Sequence, residues 1–117
     1  MNTNELRADA RVSVTQRGKL SAGNDWFACM VLDMSNSGLL LVSNKRLEVG
    51  QILEFRCELY PDRFLDCMIE VMHSNEDGAG TMITEIDDKA KSLLQMYLEE
   101  KLAIRLDKPP TAREPKG

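Results

Sequence analysis

In the segment ILEFRCEL, residues 52–59, apolar and charged side chains alternate strictly from Leu53 to Leu59. Successive side chains of a β-strand point to opposite faces, so this pattern predicts a strand with one buried and one solvent-facing side. The segment FLDCMIEVMH, residues 64–73, has an apolar residue at every second position from Leu65 to Val71. Between the two lies YPDR, whose Pro and Asp favour a turn. These residues therefore predict two consecutive β-strands.

Four further segments bring the number of predicted strands to six. Residues 12–15 alternate apolar and polar side chains, residues 25–33 and 39–43 are rich in β-forming side chains, and residues 81–86 form the last strand. The connecting segments, which are rich in turn-forming residues, are predicted to be loops at 17–24, 33–38 and 74–80. Six short antiparallel strands must curl or close to protect their edges. The predicted fold class is therefore all-β with one helix, the strands forming a six-stranded antiparallel β-barrel.

The period of the apolar pattern changes after the last strand. Apolar residues recur at helical spacing at Ala90, Leu93, Leu94, Tyr97 and Leu98. This spacing predicts an amphipathic helix that begins near Asp87 or Asp88, ends at about Ile104 and caps the barrel.

Polar segments flank the predicted domain, which spans residues 12–106. Residues 1–11 are polar and terminal, and we expect them to form a flexible arm. Residues 107–117 contain adjacent prolines and little apolar content, which predicts a disordered tail.

Composition limits the classes of function. The net charge of −4 argues against a general DNA-binding or RNA-binding protein, which needs a broad basic surface. No apolar run is long enough for membrane insertion, and the N-terminus has no signal-peptide core, so we expect a cytoplasmic protein.

The residues offer little for catalysis or metal binding. The three cysteines lie in apolar segments without C-x-x-C spacing, which favours buried structural thiols over a zinc site or a disulfide. The one histidine, His73, ends a predicted strand without a nucleophile beside it. The acidic run at 85–88 is better explained by the positive end of the helix dipole than by catalysis. We therefore expect no enzyme activity, no metal and no cofactor.

Two arginines near the N-terminus form the first candidate site motif. Arg7 and Arg11 are four residues apart, a spacing that places both side chains on one face of either a strand or a helix. A guanidinium forms a planar fork that pairs with guanine O6 and N7 or with a phosphate, a geometry that lysine cannot copy. Alone, the motif is also explained by a solvated arm in which Asp9 balances its neighbours.

The second motif is DMSNSG, residues 33–38. Asp33 and Ser35 can bond backbone amides and so form the turn between two strands. Gly38 allows a positive φ or the close approach of another molecule to the backbone. A purely structural turn is compatible with these residues. A carboxylate and a hydroxyl at a strand end can also bond to the edge of a base.

Taken together, R-x-x-x-R followed by D-x-S-x-x-G between two strands resembles the PilZ domain family. The similarity extends from about Leu6 to Leu102 and includes LEVGQILEFRCEL and GAGTMITEIDDKAKSLLQMYL. It implies a six-stranded β-barrel that binds the bacterial second messenger cyclic di-GMP without catalysis.

The resemblance also implies roles for individual residues. Arg7 and Arg11 would bond guanine and phosphate groups, while Asp33, Ser35 and Gly38 would line the barrel face where the other guanine edge docks. An apolar residue such as Leu6 before the first arginine is associated in this family with one bound dinucleotide rather than a stacked pair. Further candidates for ligand contact are Leu6, Ser37 and Gly80.

Two functions follow from the resemblance. In the first, cyclic di-GMP orders the N-terminal arm and creates a surface that signals through an unidentified protein partner, for example in motility or biofilm regulation. In the alternative, the chain is a PilZ-like adaptor of pilus or motility assembly that binds only protein. The exposed side of the terminal helix, with Met96, Glu99 and Glu100, is one candidate partner surface, although an ordinary solvated face also explains it.

Overall fold

Six antiparallel strands close into a barrel, and one helix follows them. The structure is a computed structural model that describes residues 10–111, with side chains described as far as residue 103. The strands are β1 (Val12–Ser21), β2 (Trp26–Met34), β3 (Gly38–Ser43), β4 (Ile52–Tyr60), β5 (Arg63–Asn75) and β6 (Gly78–Glu85), and the helix is α1 (Asp88–Thr111). Around the barrel the order is β1-β2-β3-β6-β5-β4, closed by pairing of β4 with β1. The six-stranded barrel with a C-terminal helix predicted from the sequence is confirmed.

The alternating residues of β4 and β5 form much of the barrel interior. Leu53 and Phe55 on β4, and Leu65 and Ile69 on β5, are at most 1% exposed. The intervening charged residues of both strands face outward. Burying a side chain of this size stabilises the fold by about 1.5–3 kcal/mol. The period-two pattern therefore assigned the interior face of both strands correctly.

Strand β1 is longer than the sequence pattern predicts. Residues 17–21, predicted as part of a loop, continue the strand and pair with β2, and residues 18–21 also pair with β4. Gly18 allows this close pairing, because a Cβ atom there would lie 3.0 Å from the Phe55 ring and 3.2 Å from the Arg56 carbonyl oxygen. Composition predicts a loop here, but the hydrogen bonds that close the barrel outweigh that local preference.

The connection between β5 and β6 is shorter than predicted. The sequence predicts a loop over residues 74–80, whereas Asn75 and Gly78 are paired and only Glu76 and Asp77 lie between the strands. Gly78 has a φ of 144°, a conformation that favours glycine. Residues that are typical of turns therefore belong to the ends of both strands, because pairing between the strands satisfies the hydrogen bonds of their backbone groups.

Helix α1 packs its apolar stripe against the barrel. All five residues of the predicted stripe are buried, and the helix contacts β5 and β1. The Asp87 carboxylate accepts a 2.7 Å hydrogen bond from the Ala90 backbone N–H and so caps the first turn. At the next turns, the Tyr97 ring meets the Tyr60 ring edge-on at 5.8 Å, and the Tyr60 hydroxyl donates a 2.8 Å hydrogen bond to Glu100.

The helix ends later than predicted. It continues to Thr111, past the expected end near Ile104, and so includes the first residues of the predicted disordered tail at 107–117. Periodicity detects only the buried stripe, whereas backbone hydrogen bonds can extend a helix beyond it. Residues 112–117 lie outside the described part of the chain. Over the residues that are described, no helix has the length and apolar character needed to cross a membrane.

Candidate functional site

The turn between β2 and β3 is built around Ser35. The Ser35 hydroxyl oxygen accepts 3.2 Å hydrogen bonds from the backbone N–H groups of Ser37 and Gly38, and the Ser35 N–H donates to the Gly38 carbonyl at 2.9 Å. Ser35 is only 1% exposed. In this structure Ser35 therefore holds the turn that carries the second motif, and a direct contact between Ser35 and a ligand stays a prediction.

Gly38 lets β3 lie tightly against β6. A Cβ atom at position 38 would lie 2.1 Å from the Thr81 carbonyl oxygen. Gly38 also has no positive φ. The close approach expected at this glycine is thus made by a strand of the same chain.

The second motif lies beside Arg11. Val12 pairs with Met34 and Ser13 with Asp33, so the register of β1 on β2 places Arg11 at the end of β2. Arg11 Nη1 donates to Asp33 Oδ1 at 2.6 Å, and the two side chains are 51% and 23% exposed. The structure therefore brings together one residue of each motif on the outer surface of the barrel. Arg7 and Leu6 lie outside the described residues.

A β-bulge in β2 determines that Asp33 faces outward. Val31 pairs with Leu41 and Asp33 with Leu40, so Leu32 is an extra residue on β2. Val31 is fully buried, and regular alternation would turn Asp33 toward the same interior. The bulge shifts the alternation by one residue and presents the carboxylate on the surface.

The remaining candidates differ in exposure. Ser37 is exposed, and its carbonyl oxygen accepts a 2.8 Å hydrogen bond from the Ile83 N–H, which ties the turn to β6. Gly80 is buried, because the imidazole of His73 lies over it, with Nε2 2.0 Å from where a Cβ atom of residue 80 would stand. The surface that Gly80 was expected to offer a ligand is therefore covered by His73, which the sequence pattern did not mark as a site residue.

The cysteines are placed as packing residues. Cys29, Cys57 and Cys67 are buried and unbonded. Burial raises the pKa of Cys29 to about 11 and the pKa values of Cys57 and Cys67 to about 12, which keeps all three thiols protonated at neutral pH. Within the described residues, no group of three or more His, Cys, Asp or Glu side chains could hold a metal ion.

Comparison with known proteins identifies the family. The family model for the PilZ domain matches residues 5–100, most of the chain. The comparison with curated proteins finds no match.

Solved structures share the fold. The inhibitor of motility MotI/DgrA from Bacillus subtilis has a TM-score of 0.70 at 13% identity, covering 86% of this chain and 52% of that chain. This chain thus spans about half the length of that protein. The PilZ domain of YcgR from Escherichia coli, solved with cyclic di-GMP, has a TM-score of 0.68 at 9% identity, covering 91% of this chain and 97% of that chain.

A third structure extends the similarity. PlzA from Borreliella burgdorferi, solved in complex with cyclic di-GMP, has a TM-score of 0.57 at 14% identity, covering 84% of this chain and 38% of that chain. A PilZ domain is not an enzyme, in agreement with the expected lack of catalysis. By its family match and its barrel, this chain belongs to the PilZ domain family.

Proposed function

We propose that this protein binds cyclic di-GMP on the outer barrel face that carries Arg11 and Asp33. The observation that carries the proposal is the 2.6 Å contact between these two side chains, one from each motif. Two proteins with a similar fold, the PilZ domain of YcgR and PlzA, were solved with this nucleotide, which supports the choice of ligand.

The chemistry of the two exposed side chains suits a guanine dinucleotide. The guanidinium of Arg11 can grip a phosphate or the O6 and N7 atoms of a guanine. The carboxylate of Asp33 can accept hydrogen bonds from the N–H groups of a base. Because the ion pair is partly solvated, exchanging it for ligand contacts requires little free energy. Arg7 and Leu6 would add contacts from the arm, and Ser37 would add a hydroxyl near the turn.

The proposed response to the ligand is ordering of residues 1–11. Arg11, the last residue of that segment, already contacts Asp33, so a bound nucleotide would extend an existing contact toward Arg7. An ordered arm and its nucleotide would form a composite surface for a downstream protein. The proposal places the protein in the cytoplasm, a reducing compartment that suits the free thiols.

Calorimetric titration with cyclic di-GMP tests the proposal. We expect saturable binding by the unchanged protein, and a loss of about 1.5–3 kcal/mol for each of Arg7→Ala, Arg11→Ala and Asp33→Ala. Arg17→Ala, which removes an exposed cation farther along the same strand, is the matched control and should bind normally. No binding by the unchanged protein, or equal binding by all variants, would contradict the proposal.

The second candidate is an adaptor that binds protein but no nucleotide. One observation favours it: two residues of the second motif are explained without a ligand. Ser35 holds the turn, and Gly38 permits packing on β6. The same titration separates the two candidates, because an adaptor of this kind would give no heat with cyclic di-GMP.

A further inference from the structure

A β-bulge turns His73 toward the outer surface, as another does for Asp33. On β5, Val71 pairs with Thr81 and His73 with Gly80, so Met72 is an extra residue in the ladder. Val71 is fully buried, and regular alternation would direct His73 into the core as well. The bulge instead exposes the imidazole. Such bulges commonly redirect side chains beside functional sites.

The two redirected side chains lie on one row across the barrel. Asp33 of β2 pairs with Leu40 of β3, Leu40 pairs with Gly80 of β6, and Gly80 pairs with His73 of β5. Three strand intervals of about 4.8 Å separate Asp33 from His73, a backbone distance of about 14 Å along the surface. Both residues therefore border the same strip of the outer face.

The surface strip between Asp33 and His73 is apolar and carries no projecting side chain. Gly80 has no side chain, and Leu40 is partly buried, with its Cδ1 3.6 Å from where a Cβ atom of Gly78 would stand. The His73 ring lies across Gly80, which places the imidazole over the floor of the strip. The strip therefore has the Arg11–Asp33 ion pair at one end and the His73 ring at the other. The surface between them is apolar.

We propose that His73 is a further ligand-contacting residue, on which the guanine distal to Asp33 stacks. This inference rests on the proposed binding of cyclic di-GMP. A cyclic dinucleotide carries two bases on opposite sides of its sugar–phosphate ring, so a molecule gripped by Arg11 and Asp33 presents its second base elsewhere on the face. Histidine rings are among the side chains on which unpaired bases stack.

The single histidine makes the test direct. His73 is the only histidine of the chain, so its ring proton signals need no assignment. We expect saturation with cyclic di-GMP to shift these signals upfield, because a stacked purine shields the protons of the ring beneath it. Signals that stay in place when the protein is saturated would overturn the proposal.

Affinity measurements complete the test. His73→Ala should weaken cyclic di-GMP binding about tenfold, within the range for removing a stacked aromatic side chain. His73→Phe keeps a flat ring on which the base can stack, so its affinity should stay within roughly threefold of that of the unchanged protein. Met72→Ala is the control, because Met72 is the exposed neighbour in the same bulge and should leave affinity unchanged.

The possible failures are distinguishable. If the unchanged protein binds no cyclic di-GMP, the proposed function fails and the role of His73 fails with it. If the unchanged protein binds and His73→Ala binds equally well, only the role of His73 is wrong. If His73→Phe is as weak as His73→Ala, stacking is wrong.

Discussion

Arg11 and Asp33 are 22 residues apart in the sequence, yet Arg11 Nη1 donates to Asp33 Oδ1 at 2.6 Å. The contact follows from the register of β1 on β2, which pairs the residues next to Arg11 with the end of β2. Each side chain comes from a different motif, so barrel closure is what assembles the candidate site.

This ion pair should matter more for binding than for stability. Exposed ion pairs contribute about 0–1 kcal/mol. We expect Arg11→Ala to lower the free energy of unfolding in urea by less than about 1 kcal/mol without ligand. A double-mutant cycle with Asp33→Ala measures the pairwise energy. A coupling well above that range would mean that the pair is a structural clamp.

Replacing Gly38 should damage the fold. A Cβ atom there would collide with the Thr81 backbone oxygen, and neither strand can move away without breaking the β3–β6 ladder. We expect Gly38→Ala to cost at least the 1–3 kcal/mol typical of overpacking, measured by urea denaturation. Gly18→Ala is the graded comparison and should cost less, because its nearest neighbour is the end of the Phe55 side chain at 3.0 Å. A larger loss in Gly18→Ala than in Gly38→Ala would show that β6 can move away from residue 38 at little cost in stability.

Ser35 should act on the turn. In Ser35→Ala, the N–H groups of Ser37 and Gly38 lose their shared acceptor, the buried Ser35 hydroxyl. We expect a loss of about 1–3 kcal/mol in unfolding free energy. Ser37→Ala is the comparison: Ser37 is exposed, and its hydroxyl lies 3.2 Å from the Ser35 hydroxyl, so the variant loses one side-chain hydrogen bond and leaves both backbone N–H groups paired. We expect it to cost less than about 1 kcal/mol. Equal losses of unfolding free energy in Ser35→Ala and Ser37→Ala would contradict the assignment of Ser35 as the residue that holds the turn.

The buried cysteines should make the fold sensitive to alkali. Their pKa values are raised to about 11–12 in the folded protein from the ordinary value of 9.0, so the folded state holds these protons more tightly than the unfolded chain. Their contribution to stability is complete below pH 9 and is lost as the pH rises toward 11–12. Urea midpoints measured between pH 8 and pH 11 should therefore fall, and fall less steeply in Cys57→Ala.

Thiol labelling provides an independent check on the same groups. A thiol reagent attacks the thiolate, which is scarce when the pKa is raised and the sulfur is buried. At pH 8 we expect slow labelling of the folded protein and rapid labelling of all three cysteines in urea. Rapid labelling of the folded protein would show that the barrel opens readily around them.

Much of the fold was predictable from local pattern. The alternation in β4 and β5 identified their buried faces, and the helical spacing after residue 88 identified the stripe that packs on the barrel. The ends of the elements were less accurate. Residues 17–21 and the turn around residue 76 depend on pairing with strands distant in the sequence.

The candidate site was predictable only in part. The two motifs drew attention to Asp33 and Arg11, which the structure brings into contact. The sequence pattern gave no signal for His73, because the alternation from Leu65 to Val71 continues to an interior position at residue 73. It also suggested ligand contact at Gly80, where His73 covers the backbone.

By itself, the sequence determined which segments become strands and helix, because side-chain period is a property of neighbouring residues. Which side chains meet on the surface was decided by the tertiary structure. The extra residues at Leu32 and Met72 turn Asp33 and His73 outward, and a bulge exists only where one strand is paired against another of different local length. That pairing is a long-range relationship that local pattern does not encode.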